Sequence, residues 1–285
     1  MEQNRQPPKW RETCDPFALP YRSFRPAKIL GYPHARNDVF YAQGELEGKR
    51  VYAYIKASRY GNTPLKNELS VLPQLDGELI PKLLDFGTGE PTFSVTGALP
   101  GQRLSAIVGD NHDLRSLKYM RKYGKALAVL HSETPEVQPQ CERTFFRSPT
   151  DESLEKLGLA YLADYFKNAP QNGKTVFCHG DFHYANVLWD GEELSGILDF
   201  ELAGYGNRDF DIAWALFLRP GQQFLKTHEE QAAFLDGYAE CGSCDLDAVR
   251  YYMAQCYVHF LGFCADDGDY CRYARTWLSE NCASN

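Results

Sequence analysis

Three acceptor side chains between residues 176 and 213 stand at spacings that could hold a metal ion and take up a proton. Asp181 lies two residues after His179, Asn186 follows Asp181 by five, and Asp199 follows Asn186 by thirteen. Two short apolar runs, Val187-Leu188-Trp189 and Ile197-Leu198, lie in the last gap, joined by the turn Asp190-Gly191. Such a hairpin returns Asp199 to the end where Asn186 stands. Oxygen ligands gathered there suit Mg²⁺, which takes one or two protein ligands and completes its shell with phosphate oxygens and water. Asp181, one loop away, is placed to accept a proton from a hydroxyl nucleophile. Taken singly, an Asp or Asn caps a turn or a helix more often than it does chemistry. The weight lies in all three at this spacing with strands in the right gaps.

The surrounding elements divide the chain in two. Residues 1–26 are rich in Pro and Arg and read as an extended lead-in. From about Ala27 to Leu99 the pattern is strand-like. Val39–Gln43 is β-prone. Lys49–Ala57 alternates, with Val51, Ala53 and Ile55 on one face and Tyr52, Tyr54 and Lys56 on the other. Gly44–Gly48 reads as the turn between them. Pro64–Leu75 carries leucines at helical spacing, with Pro73 arguing for an early end. Ile80–Phe86 and Thr92–Thr96 are further short strands. After Pro100-Gly101 the texture becomes helical: Leu117–His131, Ser153–Phe166, Phe210–Leu218, Glu229–Glu240, Leu246–Cys264 and Tyr270–Ser279. The expectation is an α+β fold of two lobes, residues 1–98 small and β-rich, residues 99–285 larger and helical. A cleft between such lobes favours a small ligand.

Composition narrows the partners. The 285 residues carry 30 basic and 38 acidic side chains, a formal charge of -8. A protein that mainly grips nucleic-acid phosphates would want a basic surplus, so nucleic acid is not expected as a partner. No stretch approaches the roughly 18 apolar residues of a membrane span, and none is expected. The polar start MEQNRQPPKWRETCD lacks the apolar core of a signal peptide. With nine cysteines, an odd number, free thiols in a reducing cytoplasm are expected. Cys241 and Cys244 form one CxxC with no second ligand pair, and read as structural.

The segment HGDFHYAN, with DFE after the hairpin, resembles the catalytic segment of the aminoglycoside phosphotransferase and choline kinase superfamily, the protein-kinase-like small-molecule kinases. Protein kinases usually carry Arg where Gly180 stands and Gly where Glu201 stands. Lys125–Ser132 (KALAVLHS), Gly97–Leu104 (GALPGQRL) and Gly204–Ala213 (GYGNRDFDIA) resemble the helix before the catalytic loop, the inter-lobe hinge and the loop after the metal ligand. The resemblance covers roughly residues 30–220. It implies ATP and Mg²⁺ as cofactors, Asp181 as catalytic base, and Asn186 and Asp199 as metal ligands. It implies that Lys56 meets the α/β-phosphates with Glu68 as its ion-pair partner. The Gly97 carbonyl and the Leu99 N–H become the adenine contacts. His179 and Asp211 support the loop. Glu201 is placed to reach the metal shell or a cationic substrate. Ile29–Phe40 has one glycine where protein kinases have a G-x-G-x-x-G loop, and aminoglycoside kinases also lack that full motif. Asp85-Phe86-Gly87 spells the protein-kinase metal motif but precedes the catalytic loop, and reads as a strand end and turn.

The implied reaction is transfer of the ATP γ-phosphoryl to a hydroxyl of a small, cationic molecule. Carboxylates for such an acceptor are Glu201, Asp266, Asp267, Asp269 and Glu280. A choline-type acceptor would instead want an aromatic cage, from Tyr205, Trp214, Tyr251, Tyr252 and Tyr257. Choline, ethanolamine, sugar and amino-acid acceptors remain open, as does a non-catalytic nucleotide-binding module.

Overall fold

Alternating small and apolar residues build a five-stranded antiparallel sheet at the start of the chain. A computed structural model describes residues 14–33, 37–59, 64–141, 143–171, 173–264 and 268–282. Its strands are β1 (Phe24–Gly31), β2 (Asp38–Leu46), β3 (Lys49–Ala57), β4 (Leu83–Gly87) and β5 (Phe93–Gly97), in the order β1-β2-β3-β5-β4. Glu47 and Gly48 both take positive φ, the two-residue turn whose twist matches that of a hairpin. Strand β2 therefore runs to Leu46, beyond the Gly44 where the sequence suggests a turn. Ala53, Ile55 and Ala57 of β3 are fully buried with Phe24, Ala42, Phe93 and Val95, leaving Lys56 on the other face. Helix α1 (Leu65–Val71) gives way to a 3-10 turn at Leu72–Gln74, where Pro73 has no N–H for a longer helix.

The lead-in ends sooner than expected. Phe24 is buried and starts β1, and the N–H groups of Arg22, Ser23 and Phe24 all donate to one oxygen of Asp85 at 2.7–2.9 Å. Phe86 N donates to the other oxygen at 2.8 Å. Asp85 is thus consumed by backbone donors.

The chain divides into two units, Met1–Pro100 with Gly196–Glu201, and Gly101–Ser195 with Leu202–Asn285. The expected division at residue 98 falls two residues later, and the Asp199 segment groups with the first unit. Ile197 N donates to Leu79 O at 2.8 Å.

The second unit begins with β6 (Gln102–Arg103) and α2 (Leu104–Val108), followed by α3 (Leu117–Leu130). The helix expected over Ser153–Phe166 is broken into α4 (Asp151–Lys156) and α5 (Ala163–Lys167), with Gly158 between them at φ 66°. Strand β7 (Thr175–Cys178) pairs antiparallel with β10 (Gly204–Asn207). The hairpin β8 (Val187–Asp190) and β9 (Glu193–Ile197) lies between them in the chain, with β6 paired to β8. Helices α6 (Arg208–Leu216), α7 (His228–Ala239), α8 (Leu246–Leu261) and α9 (Asp269–Cys282) complete the unit. Among the described residues no helix is long and apolar enough to cross a membrane, and the cysteines form no disulfide.

Helices α3 and α7 approach closely through two glycines. A Cβ on Gly124 would lie 1.9 Å from Phe234 O, and one on Gly237 would lie 1.8 Å from Arg121 O. Alanine at either position is expected to destabilise by about 1–3 kcal/mol, since backbone on the opposite helix must move. Urea denaturation reads this directly; an unchanged midpoint in both variants would contradict it.

Candidate active site

In the first unit, alternation along β3 and one buried turn of α1 bring a cation and three carboxylates together. Lys56 Nζ lies 2.8 Å from Glu68 Oε2, 2.9 Å from Asp199 Oδ1 and 3.2 Å from Glu201 Oε1. Burial alone would favour the neutral amine. The charges of Glu68, Asp199 and Glu201 outweigh it and hold Lys56 protonated, well above its ordinary range. Glu201 is displaced the other way. Burial first, opposed by Lys56 and reinforced by the charges of Asp199 and Glu68, raises its pKa to about 7. Asn37 Nδ2 donates to Glu201 Oε1 at 2.5 Å, and Asn67 Nδ2 donates to Glu201 O at 3.1 Å.

Three carboxylates around one ammonium are an arrangement short of positive charge. Oxygen ligands of Glu68, Asp199 and Glu201 lie within 4.8 Å of one another. A hard divalent cation would relieve that repulsion, so the donor set fits Mg²⁺. Asp199 itself sits at φ 67°, a left-handed conformation that is uncommon for a residue with a side chain. Such strain persists where the surroundings over-determine it, as functional sites do.

In the second unit, the catalytic loop is braced from beneath. Asp211, buried on α6, accepts His179 N at 2.9 Å and Gly180 N at 3.0 Å, and its Oδ2 lies 3.1 Å from His131 Nε2. His179 Nδ1 accepts from Asp181 N at 3.2 Å. These are the supporting contacts expected of His179 and Asp211. Gly180 takes φ 78°, and a Cβ there would lie 2.2 Å from Leu202 O. The Arg of protein kinases has no room at this position.

The brace presents Asp181 with both oxygens engaged. Trp214 Nε1 donates to Oδ1 at 2.9 Å. Asn186 Nδ2 donates to Oδ2 at 3.2 Å and to the Asp181 carbonyl at 3.0 Å. His183 Nε2 lies 3.6 Å from Oδ2. Burial alone would raise the Asp181 pKa. The His183 ring, the Arg219 charge and the Trp214 N–H outweigh it and bring it down to about 2. The carboxylate is therefore ionised across the neutral range.

The expected residues thus fall into two groups, Lys56, Glu68, Asp199 and Glu201 in the first unit and Asp181 with Asn186 in the second. Gly97 ends β5, with its N–H donating to Lys82 O at 2.9 Å, and Leu99 follows half-buried. Of the carboxylates offered to a cationic acceptor, Glu201 is engaged by Lys56 and Asn37. Asp269 is exposed and pairs with Arg272. Glu280 is exposed near the end of α9. Asp266 and Asp267 lie outside the described residues, as do residues 34–36 of the expected phosphate loop.

Three of the five aromatic side chains considered for a cage, Trp214, Tyr251 and Tyr257, are buried in the core. The hydroxyl of Tyr205 donates to Pro135 O, that of Tyr252 accepts from Asn207, and that of Tyr257 accepts from Leu218 N. They make no cage. Asn37, His183 and Arg219 escaped the sequence reading. Asn37 lies in a loop with no period to read, and Arg219 follows the end of α6.

A β-sheet unit carrying an ammonium pinned by carboxylates, and a helical unit presenting an Asp–Asn loop, define a kinase-like α+β protein. A profile of a phosphotransferase enzyme family matches residues 33–251, well past the catalytic segment. The chain belongs to that family, within the aminoglycoside phosphotransferase and choline kinase superfamily of small-molecule kinases. It is 28% identical over 249 residues to an aminoglycoside 3'-phosphotransferase of Niallia circulans, covering 79% of this chain and 88% of that protein. It is 30% identical over 188 residues to an N-acetylmuramate/N-acetylglucosamine kinase of Caulobacter vibrioides, covering 60% of this chain and 47% of that protein. Its fold is similar to an aminoglycoside phosphotransferase solved with ADP and hygromycin B (TM-score 0.60, 14% identity, 90% of this chain and 94% of that one). It is also similar to a Plasmodium vivax ethanolamine kinase (TM-score 0.55, 17% identity, 91% and 82%).

Proposed function

We propose that the protein transfers the γ-phosphoryl group of ATP to a hydroxyl of a small molecule in the cytoplasm. The observation that carries this reading is Asp181, an ionised carboxylate with both oxygens oriented on a braced loop. Asp181 orients the acceptor hydroxyl and takes its proton as the phosphoryl group moves. Lys56, fixed by Glu68, contacts the α/β-phosphates. The Gly97 carbonyl and Leu99 N–H meet the adenine. Asn186 and Asp199 are the residues that would hold Mg²⁺, and bound Mg²⁺ supplies neutralisation of phosphate charge. Little covalent chemistry is left for the protein, so positioning and charge carry the rate.

The cationic acceptor rests on Glu201 as its carboxylate. A specific observation favours a second reading, a neutral sugar: Glu201 already serves Lys56 and Asn37, and the charge of Arg219 bears on Asp181 from its own unit. The experiment is Mg²⁺-dependent ADP release with an aminoglycoside, choline, ethanolamine, homoserine, glucose or N-acetylglucosamine added. One acceptor is expected to raise the rate at least about 10-fold over water, since a bound hydroxyl is better placed than solvent. For a cationic acceptor, KM should rise with salt and with Glu201→Gln. A neutral sugar as the best acceptor, insensitive to both, selects the second reading. No hydrolysis of MgATP and no response to any acceptor would leave a nucleotide-binding scaffold instead.

A further inference from the structure

Helix α6 carries two side chains that reach the catalytic loop, and only one of them has been given a role. Asp211 holds the loop's backbone through His179 N and Gly180 N. Trp214, three residues on, lies on the same face of the helix, and its indole N–H meets the Asp181 side chain at 2.9 Å. The start of this helix is fixed by Asn207, whose Oδ1 accepts Asp209 N and Phe210 N at 2.9 and 3.1 Å. Both contacts with the loop therefore issue from one anchored element.

The indole is packed against an aromatic ring and a cation. Phe145 stacks on it with ring centroids 4.5 Å apart and planes 15° from parallel. The Arg219 guanidinium lies 4.8 Å from its centroid, and Arg219 Nη2 donates to the Trp214 carbonyl at 2.6 Å. The Arg143 guanidinium lies 4.3 Å from the Phe145 centroid and 6.0 Å from that of Trp214, and its Nη1 reaches Gly180 O at 3.4 Å. The cluster of Arg143, Phe145, Trp214 and Arg219 thus touches the loop twice, at the Gly180 carbonyl and at the Asp181 carboxylate.

Arg219 shows that the arrangement is not a product of packing alone. It is 8% exposed, and its Nη1 is enclosed with no acceptor among the described residues. Burying a guanidinium with an unmet donor is unfavourable, and an apolar side chain would fill the space without that penalty. What the guanidinium adds is a flat cationic face against the indole and a hydrogen bond that fixes the Trp214 backbone.

We propose that Trp214, packed against Phe145 and Arg219, is the positioning residue of the catalytic base, fixing the Asp181 carboxylate through its indole N–H. Asn186 and His183 both approach Oδ2. Trp214 alone among the described side chains holds Oδ1, so removing its N–H leaves the carboxylate able to rotate about its last bond. Misplacing a reacting group by an ångström can cost about 10²-fold in rate. The N–H acts on Asp181, whose proposed part is in the transfer step, so the loss belongs in kcat and not in the KM for ATP.

This inference rests on Asp181 acting as the base, and the test separates the two. The full-length protein, its Trp214→Phe, Trp214→His and Asp181→Asn variants are compared in hydrolysis of MgATP with water as acceptor, and by thermal denaturation. Phenylalanine keeps a ring in the stack and deletes the donor. The expected result is a kcat about 10- to 100-fold lower in Trp214→Phe, with the KM for ATP within about 2-fold and the melting midpoint retained. Trp214→His, which restores a ring N–H, is expected to recover part of the loss. Should Trp214→Phe melt early, Phe145→Leu carries the test, since it keeps the N–H and loosens the packing; a fall in kcat without a change in KM supports the proposal. Wild-type kcat in Trp214→Phe, or a loss confined to the KM for ATP, overturns it. If Asp181→Asn is inactive while Trp214→Phe is normal, only the positioning role falls. If Asp181→Asn keeps its rate, the base falls and the positioning role with it.

Discussion

Asp181→Asn is expected to lower turnover by at least about 10²-fold while nucleotide affinity changes little, because a general base contributes in the transition state and not in ATP binding. Asparagine keeps the shape, and its side-chain oxygen can still accept from Trp214 Nε1, while its NH2 faces the Asn186 Nδ2 donor at the partly exposed end of the side chain. What disappears is the negative charge, the capacity to take a proton and the one hydrogen bond from the Asn186 side chain to the Asp181 side chain. The fold has no stake in that charge comparable to its stake in Asp211, which accepts two backbone N–H groups beneath the loop. Asp181→Asn should therefore melt close to wild type, whereas Asp211→Asn should unfold more readily. Near-normal turnover in Asp181→Asn, measured as ADP release with the best acceptor, removes Asp181 from the mechanism.

The loop from His179 to Asn186 was legible because its side chains stand at fixed separations, and separations survive in a sequence. Lys56 was legible for a similar reason: β3 alternates without a bulge, so the buried Ala53, Ile55 and Ala57 put Lys56 on the opposite face. Its partner Glu68 is twelve residues on, and no propensity rule foretells which helical Glu will be buried at 3% exposure against a lysine. The resemblance supplied that pair. Other features had no local signal. Strands β7 and β10 are four residues each, one of them Gly-Tyr-Gly-Asn, too short to show a period. The helix across Gly158 looked continuous because apolar spacing does not register one residue turning left-handed. Trp214 was visible as an aromatic residue, but a cage and a packed cluster use the same residue types, and only geometry separates them. The Asp199 segment shows a different limit. Chain order places it after the β8–β9 hairpin, yet its residues group with the first unit, where a carboxylate meets Lys56 from 143 positions away.

Asp199→Asn and Asp85→Asn, two changes of the same chemical size, are expected to fail in different ways. Asp199 is partly exposed beside Lys56 and belongs to the carboxylate cluster that fits a divalent cation. Neutralising it removes a charged oxygen ligand, so Mg²⁺-dependent ATP binding should weaken and transfer should be abolished. The fold loses one ion-pair partner of Lys56 and keeps Glu68 and Glu201, so stability should change little. Asp85, in the tripeptide that imitates a metal motif, does the opposite. It is buried and accepts four backbone N–H groups, three on one oxygen. Asparagine turns one of its acceptor atoms into a donor facing donors, and a buried donor left unpaired costs about 1–3 kcal/mol. Asp85→Asn should therefore lower the melting midpoint while the folded fraction turns over and binds MgATP as the wild type does. Isothermal titration with MgATP and a thermal melt on both variants separate the two failures. An Asp85 variant that folds well and cannot transfer, beside an Asp199 variant that can, would reverse the assignment of the metal ligand.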